Sequence, residues 1–374
     1  MLLSPEQLVQ QIHDSPTRIV LAATGGGSRA IADLLEVPGG SRTLLEAVVP
    51  YSAPAMIAWL GGLPDEFCSA ATARAMAMVA FHRARQYEEP EVLPAGVACT
   101  ASLATDRPKL GSHRIHIALQ TAELTAAWWL QLEKDRRSRA EEERVAGRLL
   151  LNVLAEACGV VERLKLDLLE GEQIEELRTV APPSWQELLL DKVESVCIGP
   201  TGRPPKIILS GAFNPLHDGH RRMVQIAQEL LHEPVALEIS IVNVDKPPLD
   251  YAEIERRLGQ FLPDETIYLT RAATFEEKSR LFPGATFVVG ADTLQRIAAP
   301  QYYGGNPTAC QGAVERIAGR DCRFLVFGRT MGVGFAGLAD LDLPDSLHVL
   351  CREVPPEVFR DDISSTAVRK SGAW

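Results

Sequence analysis

The 374-residue sequence lacks several features that mark secreted, membrane and nucleic-acid-binding chains. Its seven cysteines form no C-x-x-C pair and their number is odd, which predicts neither a disulfide framework nor a metal site. No run approaches the roughly 20 apolar residues of a membrane helix, and no secretory leader is evident. A formal net charge of −11 argues against a nucleic-acid partner, which needs a basic face. We therefore expect a cytoplasmic protein without a membrane or nucleic-acid partner.

The composition that remains is that of ordinary globular domains, with 46% apolar and 23% charged residues. A chain of this length is too long for one core and predicts two domains. Strand patterns alternate with helical patterns in both halves, which predicts an α/β fold. We place an N-terminal domain at residues 1–160, a helical connector at residues 161–204 and a second domain at residues 205–374.

The first half begins with a buried strand pattern over residues 17–23, which a glycine run and a helical pattern over residues 29–36 follow. A further strand is predicted over residues 114–119. The sequence of residues 121–159 predicts one long helical stretch whose middle is rich in charged residues. This order is consistent with an α/β layer.

The second half carries the segment with the clearest chemistry. A short apolar strand over residues 207–209 runs into S-G-A-F-N-P-L-H-D-G-H at residues 210–220, and a helical pattern follows. Ligands of open α/β sheets bind at this carboxyl end of a strand. Gly211 lets the backbone approach a phosphate closely, and His217 and His220 can face one anion beside the start of the helix. Such placement suits adenylyl transfer, which needs in-line positioning and charge stabilisation.

Two later segments could bind the rest of a nucleotide. Asp292 ends a strand in V-G-A-D-T-L, where it could position the nucleotide or simply cap a helix. The second segment is I-S-S-T-A-V-R at residues 363–369. Its hydroxyl residues, Ser364, Ser365 and Thr366, can present hydroxyl and N–H groups to a phosphate, and Arg369 can form two parallel hydrogen bonds with one. The alternative interpretation of this segment is a capped helix with a solvated arginine.

Three basic residues lie between these motifs. Lys246 follows the predicted second strand of the domain, and the pair Arg256-Arg257 belongs to a helical pattern shortly after it. They could contact phosphate groups of the nucleotide or of the acceptor. A loop lysine and a solvated helix arginine are the alternative.

The three motifs together resemble the signatures of nicotinate and nicotinamide mononucleotide adenylyltransferases, within the H-x-G-H nucleotidyltransferase superfamily. The resemblance covers residues 205–374 and implies a doubly wound, Rossmann-like fold. It implies transfer of an adenylyl group from ATP, brought with Mg²⁺, to a pyridine mononucleotide, with His217 and His220 at the reacting phosphates. The nucleotide-binding residues that it implies are Gly211, Phe213, Asn214, Asp292, Ser364, Ser365, Thr366 and Arg369.

The sequence departs from that family after Asp292, where Gln295-Arg296-Ile297 replaces the tryptophan that often stacks on the pyridine ring. The acceptor is therefore open: another phosphorylated acceptor, or CTP in place of ATP, is an alternative. A non-catalytic pyridine-nucleotide sensor is a further one.

The first half resembles the CinA C-terminal domain, whose fold is that of a nicotinamide mononucleotide deamidase. Thr24 aligns with the serine nucleophile of that family, with Ser28 as the alternative, and Tyr51 matches its tyrosine. Met56 stands where the family has a lysine, and a thioether cannot activate a hydroxyl. We therefore expect no amidase activity, although an active amidohydrolase remains the competing interpretation. The glycine turn could still bind a nucleotide phosphate, or the domain could serve for homo-oligomerisation.

Overall fold

The computed structural model describes residues 3–360, apart from residues 90–91, 93, 108–109, 201–202, 244–246 and 332–333. The chain divides into two compact units. The first unit comprises Met1–Gln186 and Asp245–Ile254, and the second comprises Glu187–Val244 and Glu255–Trp374. Each unit contains one main β-sheet with helices, so the α/β fold predicted for both domains is confirmed.

The elements of the N-terminal half alternate in type along the chain. They are α1 (Pro5–His13), β1 (Arg18–Thr24), α2 (Ser28–Glu36), β2 (Leu44–Val48), α3 (Ala53–Leu60), α4 (Ala70–Tyr87), β3 (Pro94–Ser102), β4 (His113–Gln120), β5 (Leu124–Leu132), α5 (Arg139–Ala157), β6 (Ile174–Val180) and α6 (Pro183–Leu189).

The remaining elements follow in the same alternation. They are β7 (Ser195–Ile198), β8 (Ile207–Ser210), α7 (Asp218–Leu231), β9 (Val235–Ser240), α8 (Tyr251–Leu258), β10 (Ile267–Thr270), α9 (Phe275–Leu281), β11 (Thr286–Gly290), α10 (Ala291–Ile297), α11 (Pro307–Gly319), β12 (Arg323–Phe327), β13 (Arg329–Met331), β14 (Gly334–Ala336), α12 (Asp345–His348) and β15 (Cys351–Val354).

The first unit is built on a six-stranded mixed sheet in the order β2-β1-β3-β4-β5-β6. Strand β1 is parallel to both β2 and β3, and the later neighbours are antiparallel. The larger core cluster joins Leu8 of α1, Leu34 of α2 and Leu150 of α5, and a smaller one includes Met76 of α4. Strand β1 is almost wholly buried because helices cover both faces of the sheet.

The long helical stretch predicted over residues 121–159 is wrong in its first third. Residues 124–132 form β5, which pairs with β4 on one side and β6 on the other, and the helix begins only at Arg139. The Thr121 hydroxyl accepts hydrogen bonds from the N–H groups of Glu123 and Leu124, which closes the turn between β4 and β5. Pairing with two neighbouring strands therefore outweighs the helical preference of this Ala- and Leu-rich segment.

The segment predicted as a helical connector, residues 161–204, contains one helix, α6, and also two strands that the sequence analysis did not predict. Strand β6 is the edge of the first sheet, whereas β7 pairs antiparallel with β10 at the edge of the second. Edge strands show weak alternation because most of their residues are half-buried or exposed, as in β6.

The second unit is built on a seven-stranded sheet in the order β15-β12-β11-β8-β9-β10-β7, in which every strand but β7 runs parallel to its neighbours. The chain winds from β8 through β9 to β10 in one direction. It then returns to β11 beside β8 and continues outward to β12 and β15. The point where the direction reverses lies between β8 and β11, which is where ligands bind in doubly wound sheets.

Candidate functional site

The two strands at the reversal point lead directly into two of the predicted motifs. Strand β8 ends at Ser210 and opens into the loop that precedes α7, whereas β11 ends at Gly290, after which α10 begins. Because β8 and β11 are parallel neighbours, their carboxyl ends lie side by side. The fold therefore brings the histidine motif and the Asp292 motif to the same edge of the sheet.

The loop between β8 and α7 has an unusual backbone. Phe213 has a φ of 44°, in the left-handed region, and the peptide bond between Asn214 and Pro215 is cis. The Phe213 ring is buried and packs edge-on against His220, with ring centroids 5.1 Å apart. Phe213 is therefore a packing residue of the loop, and its ring defines one side of the histidine pair.

His217 and His220 lie together at the N-terminus of α7. Their rings stack with centroids 3.8 Å apart and an interplanar angle of 24°. The backbone N–H of His217 donates to Nδ1 of His220 at 3.3 Å, which assigns the proton of the neutral His220 ring to Nε2. Burial lowers the pKa of His220 to about 3, with smaller effects from His217, Arg329 and Arg221. His220 is thus neutral near pH 7 and presents an Nε2–H donor.

Asp292 lies in the first turn of α10. Arg329 Nη1 donates to its Oδ2 at 3.0 Å, and both side chains are about one-third exposed. The other oxygen, Oδ1, is buried and has no hydrogen-bond partner among the residues that the structure describes. One acceptor of this carboxylate is therefore available to a ligand. The sequence analysis did not identify Arg329, although its position two residues after the apolar strand β12 could have indicated it.

The Arg256 side chain turns toward the loop, where its Nη2 donates to Asn214 Oδ1 at 2.5 Å. The structure thus joins two predicted site residues that are 42 positions apart. Two neighbours, Arg257 and Gln260, also contact the loop. Arg257 belongs to the arginine pair that the sequence analysis singled out, whereas Gln260 was missed and has no signal of its own in the sequence.

Several predicted contact residues lie outside the described part of the chain, so their roles stay predictions. They are Lys246, Ser364, Ser365, Thr366 and Arg369. Within the described residues, no group of three or more histidine, cysteine or acidic side chains could hold a metal ion. No helix in that same part of the chain is long and apolar enough to cross a membrane.

The first unit contains a cavity of about 270 Å³ beside the end of β1. Thr24, Tyr51 and Met56 line it, as the alignment with the deamidase family predicts for residues of one site. Thr24 is buried and its hydroxyl donates to the Pro50 carbonyl at 3.0 Å. Arg139 is the one charged residue among the described lining. The lining includes no carboxylate, imidazole or amine that could deprotonate Thr24.

The glycine turn after β1 faces a carboxylate of its own unit. Glu143 on α5 accepts hydrogen bonds from the backbone N–H groups of Gly27 and Arg29, each at 3.1 Å, and from the Ser28 hydroxyl at 3.0 Å. These are the donors that a phosphate would use at the start of α2. Ser28 does not line the cavity, so of the two nucleophile candidates only Thr24 lies there.

Comparison with known proteins identifies a family that matches the second half of the chain. Residues 208–371 match the family described as cytidylyltransferase-like. The match confirms the predicted nucleotidyltransferase-like domain and supports a nucleotidyltransferase activity, although the family description refers to cytidylyl rather than adenylyl transfer. No curated protein shows significant similarity to the chain.

The N-terminal region is similar to solved structures of the CinA superfamily. The competence/damage-inducible protein CihA from Agrobacterium tumefaciens is 20% identical, with 42% of this chain and 98% of that chain covered and a TM-score of 0.34. A CinA superfamily protein from Escherichia coli is 15% identical, with 41% and 90% covered and a TM-score of 0.32. A competence- or damage-inducible protein from Enterobacter asburiae is 15% identical, with 41% and 99% covered and a TM-score of 0.34.

Proposed function

We propose that the second unit transfers the adenylyl group of ATP to the phosphate of nicotinate or nicotinamide mononucleotide and releases pyrophosphate. The observation that carries this proposal is the stacked pair of His217 and His220 at the N-terminus of α7, beside the reversal point of a parallel sheet. The pair supplies donors and the helix supplies a positive end where a phosphoryl group would react.

In this mechanism an oxygen of the acceptor phosphate attacks the α-phosphorus of Mg·ATP. The bond from that phosphorus to the bridging oxygen of the β-phosphate breaks, and pyrophosphate leaves with the electron pair. The neutral His220 ring donates its Nε2–H to the α-phosphoryl oxygens, on which charge changes during the reaction. His217 packs against that ring and lies at the same helix start. No protein group needs to take a proton, since a phosphate monoester dianion is already a competent nucleophile.

Asp292 and Arg329 extend the site on the β11 side. The buried, unpartnered Oδ1 of Asp292 is suited to accept a hydrogen bond from a ribose hydroxyl. Arg329 places a cation close enough to His220 to contribute to its lowered pKa, and it can pair with a phosphate. The two residues hold each other through the 3.0 Å hydrogen bond, which keeps both side chains at the reacting edge.

The competing function is nucleotidyl transfer from CTP, or to a different phosphorylated acceptor, and the description of the matching family favours testing it directly. Pyrophosphate release is measured with Mg·ATP and with Mg·CTP, each with nicotinate mononucleotide, nicotinamide mononucleotide and other phosphorylated small molecules. His220→Ala is the test variant. His348→Ala, which changes an exposed histidine of α12 in the same unit, is the matched control.

We expect release with Mg·ATP and one of the two pyridine mononucleotides, lost in His220→Ala and kept in His348→Ala. Release with Mg·CTP alone would replace the adenylyl assignment with a cytidylyl one. Release with a different acceptor would overturn the pyridine assignment. Nucleotide binding without release from any combination would favour a sensor.

We also propose that the cavity of the first unit binds a small anionic ligand and does not hydrolyse an amide. One arginine and no acidic residue line the cavity, which favours an anion, and the described lining offers Thr24 no carboxylate, imidazole or amine as a base. Calorimetry with nicotinamide mononucleotide should show binding that Arg139→Ala weakens and Arg136→Ala, an exposed neighbour, does not. Ammonia release that Thr24→Ala abolishes would establish an active amidohydrolase instead.

A further inference from the structure

The loop between β8 and α7 needs support from outside itself. Phe213 adopts a left-handed backbone conformation that residues with a side chain rarely take. Such conformations persist where the surrounding structure determines them. The loop also carries Asn214 and leads into His217, so its conformation decides where the histidine pair lies. The groups that hold the loop are therefore groups on which the reaction depends.

Gln260 spans the loop with both ends of its side-chain amide. Its Nε2 donates to the carbonyl of Phe213 at 2.9 Å, and its Oε1 accepts from the backbone N–H of Leu216 at 2.8 Å. One side chain thereby satisfies the backbone on both sides of Asn214 and Pro215. The Leu216 N–H lies one residue before His217, so this hydrogen bond acts directly on the start of α7.

The surrounding residues fix Gln260 and the entrance of the loop. Arg257 is buried, and its Nη1 donates to the carbonyl of Ala212 at 2.9 Å. The Gln260 amide also donates to the Arg257 carbonyl at 3.1 Å, and Arg221 Nη2 donates to the Gln260 carbonyl at 3.2 Å. Because Arg221 belongs to α7, the helix that carries the histidines is tied to the same residue that spans the loop.

We propose that Gln260 is a positioning residue for nucleotidyl transfer, which fixes the loop so that His217 and His220 face the reacting phosphates. The proposal rests on the function proposed above. Gln260 reaches the reaction through two contacts: the Phe213 backbone, whose ring packs against His220, and the Leu216 N–H that precedes His217. Displacement of catalytic groups by about 1 Å can cost a factor of roughly 100 in rate.

The first test separates positioning from folding by steady-state kinetics. Gln260→Met has a side chain of similar length and removes both hydrogen bonds to the loop, together with the one to the Arg257 carbonyl. Gln260→Glu keeps the acceptor for the Leu216 N–H and places a second acceptor oxygen next to the Phe213 carbonyl, which cannot form a hydrogen bond with it. Gln311→Met changes an exposed glutamine of α11 and is the control. We expect kcat for pyrophosphate release to fall roughly 100-fold in both test variants. A normal kcat per folded molecule, with only a lower Tm, would overturn the proposal.

The second test does not depend on turnover, because it follows protonation of His220 by NMR. His217, Arg221 and Arg329 are the charged or titratable groups that act on this ring, and burial lowers its pKa to about 3. In the wild type the ring should therefore stay neutral from pH 7 down to about 4. In Gln260→Met the loosened loop should admit water, and the pKa of His220 should rise toward 6.5.

The two readouts keep the failure of this inference distinct from failure of the proposed function. An unchanged His220 titration in Gln260→Met would overturn the positioning role whatever the activity. A shifted titration in Gln260→Met, together with no pyrophosphate release by the wild type, would refute the proposed transfer and retain the role of Gln260 in placing the histidines. Should Gln260→Met fail to fold, Gln260→Glu, which keeps one of the two hydrogen bonds, is measured in the same way.

Discussion

Two turns of this protein share a layout and differ in what faces the helix that follows. In the first unit β1 leads through a glycine run into α2, and in the second β8 leads through Gly211 and the loop into α7. At the start of α2 the Glu143 carboxylate accepts hydrogen bonds from two backbone N–H groups and a serine hydroxyl. At the start of α7 two histidine rings stack, and Arg221 and Arg329 act on one of them.

The difference shows that a glycine turn before a helix does not by itself make an anion site. The positive end of α2 already interacts with a carboxylate from α5, so a phosphate there would meet a negative charge. The positive end of α7 is instead accompanied by two histidine rings with Arg221 and Arg329 near them, and the one carboxylate of its first turn, Asp218, is exposed. The partner that the tertiary structure brings to the helix start decides between a structural cap and a reactive site.

The largest expected effect is on the second turn. Replacing His220 with alanine removes the Nε2–H donor, and loss of one such donor in a preorganised site costs roughly 10²–10³ in rate. We expect kcat for pyrophosphate release to fall by that factor in His220→Ala. Thermal denaturation serves as the check on folding. A fall in kcat of less than tenfold would show that His220 is not the main donor.

A smaller effect is expected from the pair that borders this turn. Arg329→Ala removes a hydrogen bond to Asp292 and a cation beside His220, so we expect kcat/KM to fall by about 10- to 100-fold, as for the loss of a charge-assisted contact. Arg323→Ala, at the exposed beginning of β12, is the control. Equal kinetics for the two variants would remove Arg329 from the site.

Replacing Glu143 tests whether its carboxylate is what distinguishes the first turn from the second. Glu143→Ala frees the N–H groups of Gly27 and Arg29, which should lower the free energy of unfolding by about 1 kcal/mol, as for the loss of a helix cap. Sulfate, which stabilises folded proteins generally, should then stabilise the variant more than the wild type. Chemical denaturation with and without sulfate measures this, with Glu162→Ala as an exposed control. An equal sulfate effect in the variant and the wild type would mean that the freed N–H groups do not bind an anion.

The last expected effect is a pH dependence of stability. The folded protein holds the pKa of His220 at about 3, below the ordinary value of 6.5, so the unfolded chain binds a proton in that window that the folded chain does not. Stability should therefore decline as pH falls from about 6.5 toward 3, and His220→Asn should remove that part of the decline. Denaturant titrations at several pH values provide the measurement. Parallel curves for the two proteins would contradict the buried, neutral state of His220.

Most strands and helices of the second unit could be predicted from the sequence because the residue patterns that indicate them are local. The apolar segments at residues 207–209 and 286–289 form β8 and β11. The motif at residues 210–220 lies between a strand and a helix, as predicted. The errors fall at β5 and at the edge strands β6 and β7, whose pairing partners lie elsewhere in the chain. Propensity misleads there, since a half-buried strand is stabilised by cross-strand contacts rather than by its own sequence pattern.

The sequence by itself determined the type of fold, the presence of a nucleotidyltransferase-like domain and the position of its histidine motif, since spacing along one strand, turn and helix is a local property. Only the tertiary structure decided which partners meet at each site. Gln260, Arg329 and Glu143 lie 37 to 116 positions from the residues that they bond, at Phe213, Asp292 and Gly27 respectively. Contacts of that separation depend on how strands pair and helices pack, which no local pattern of residue types encodes.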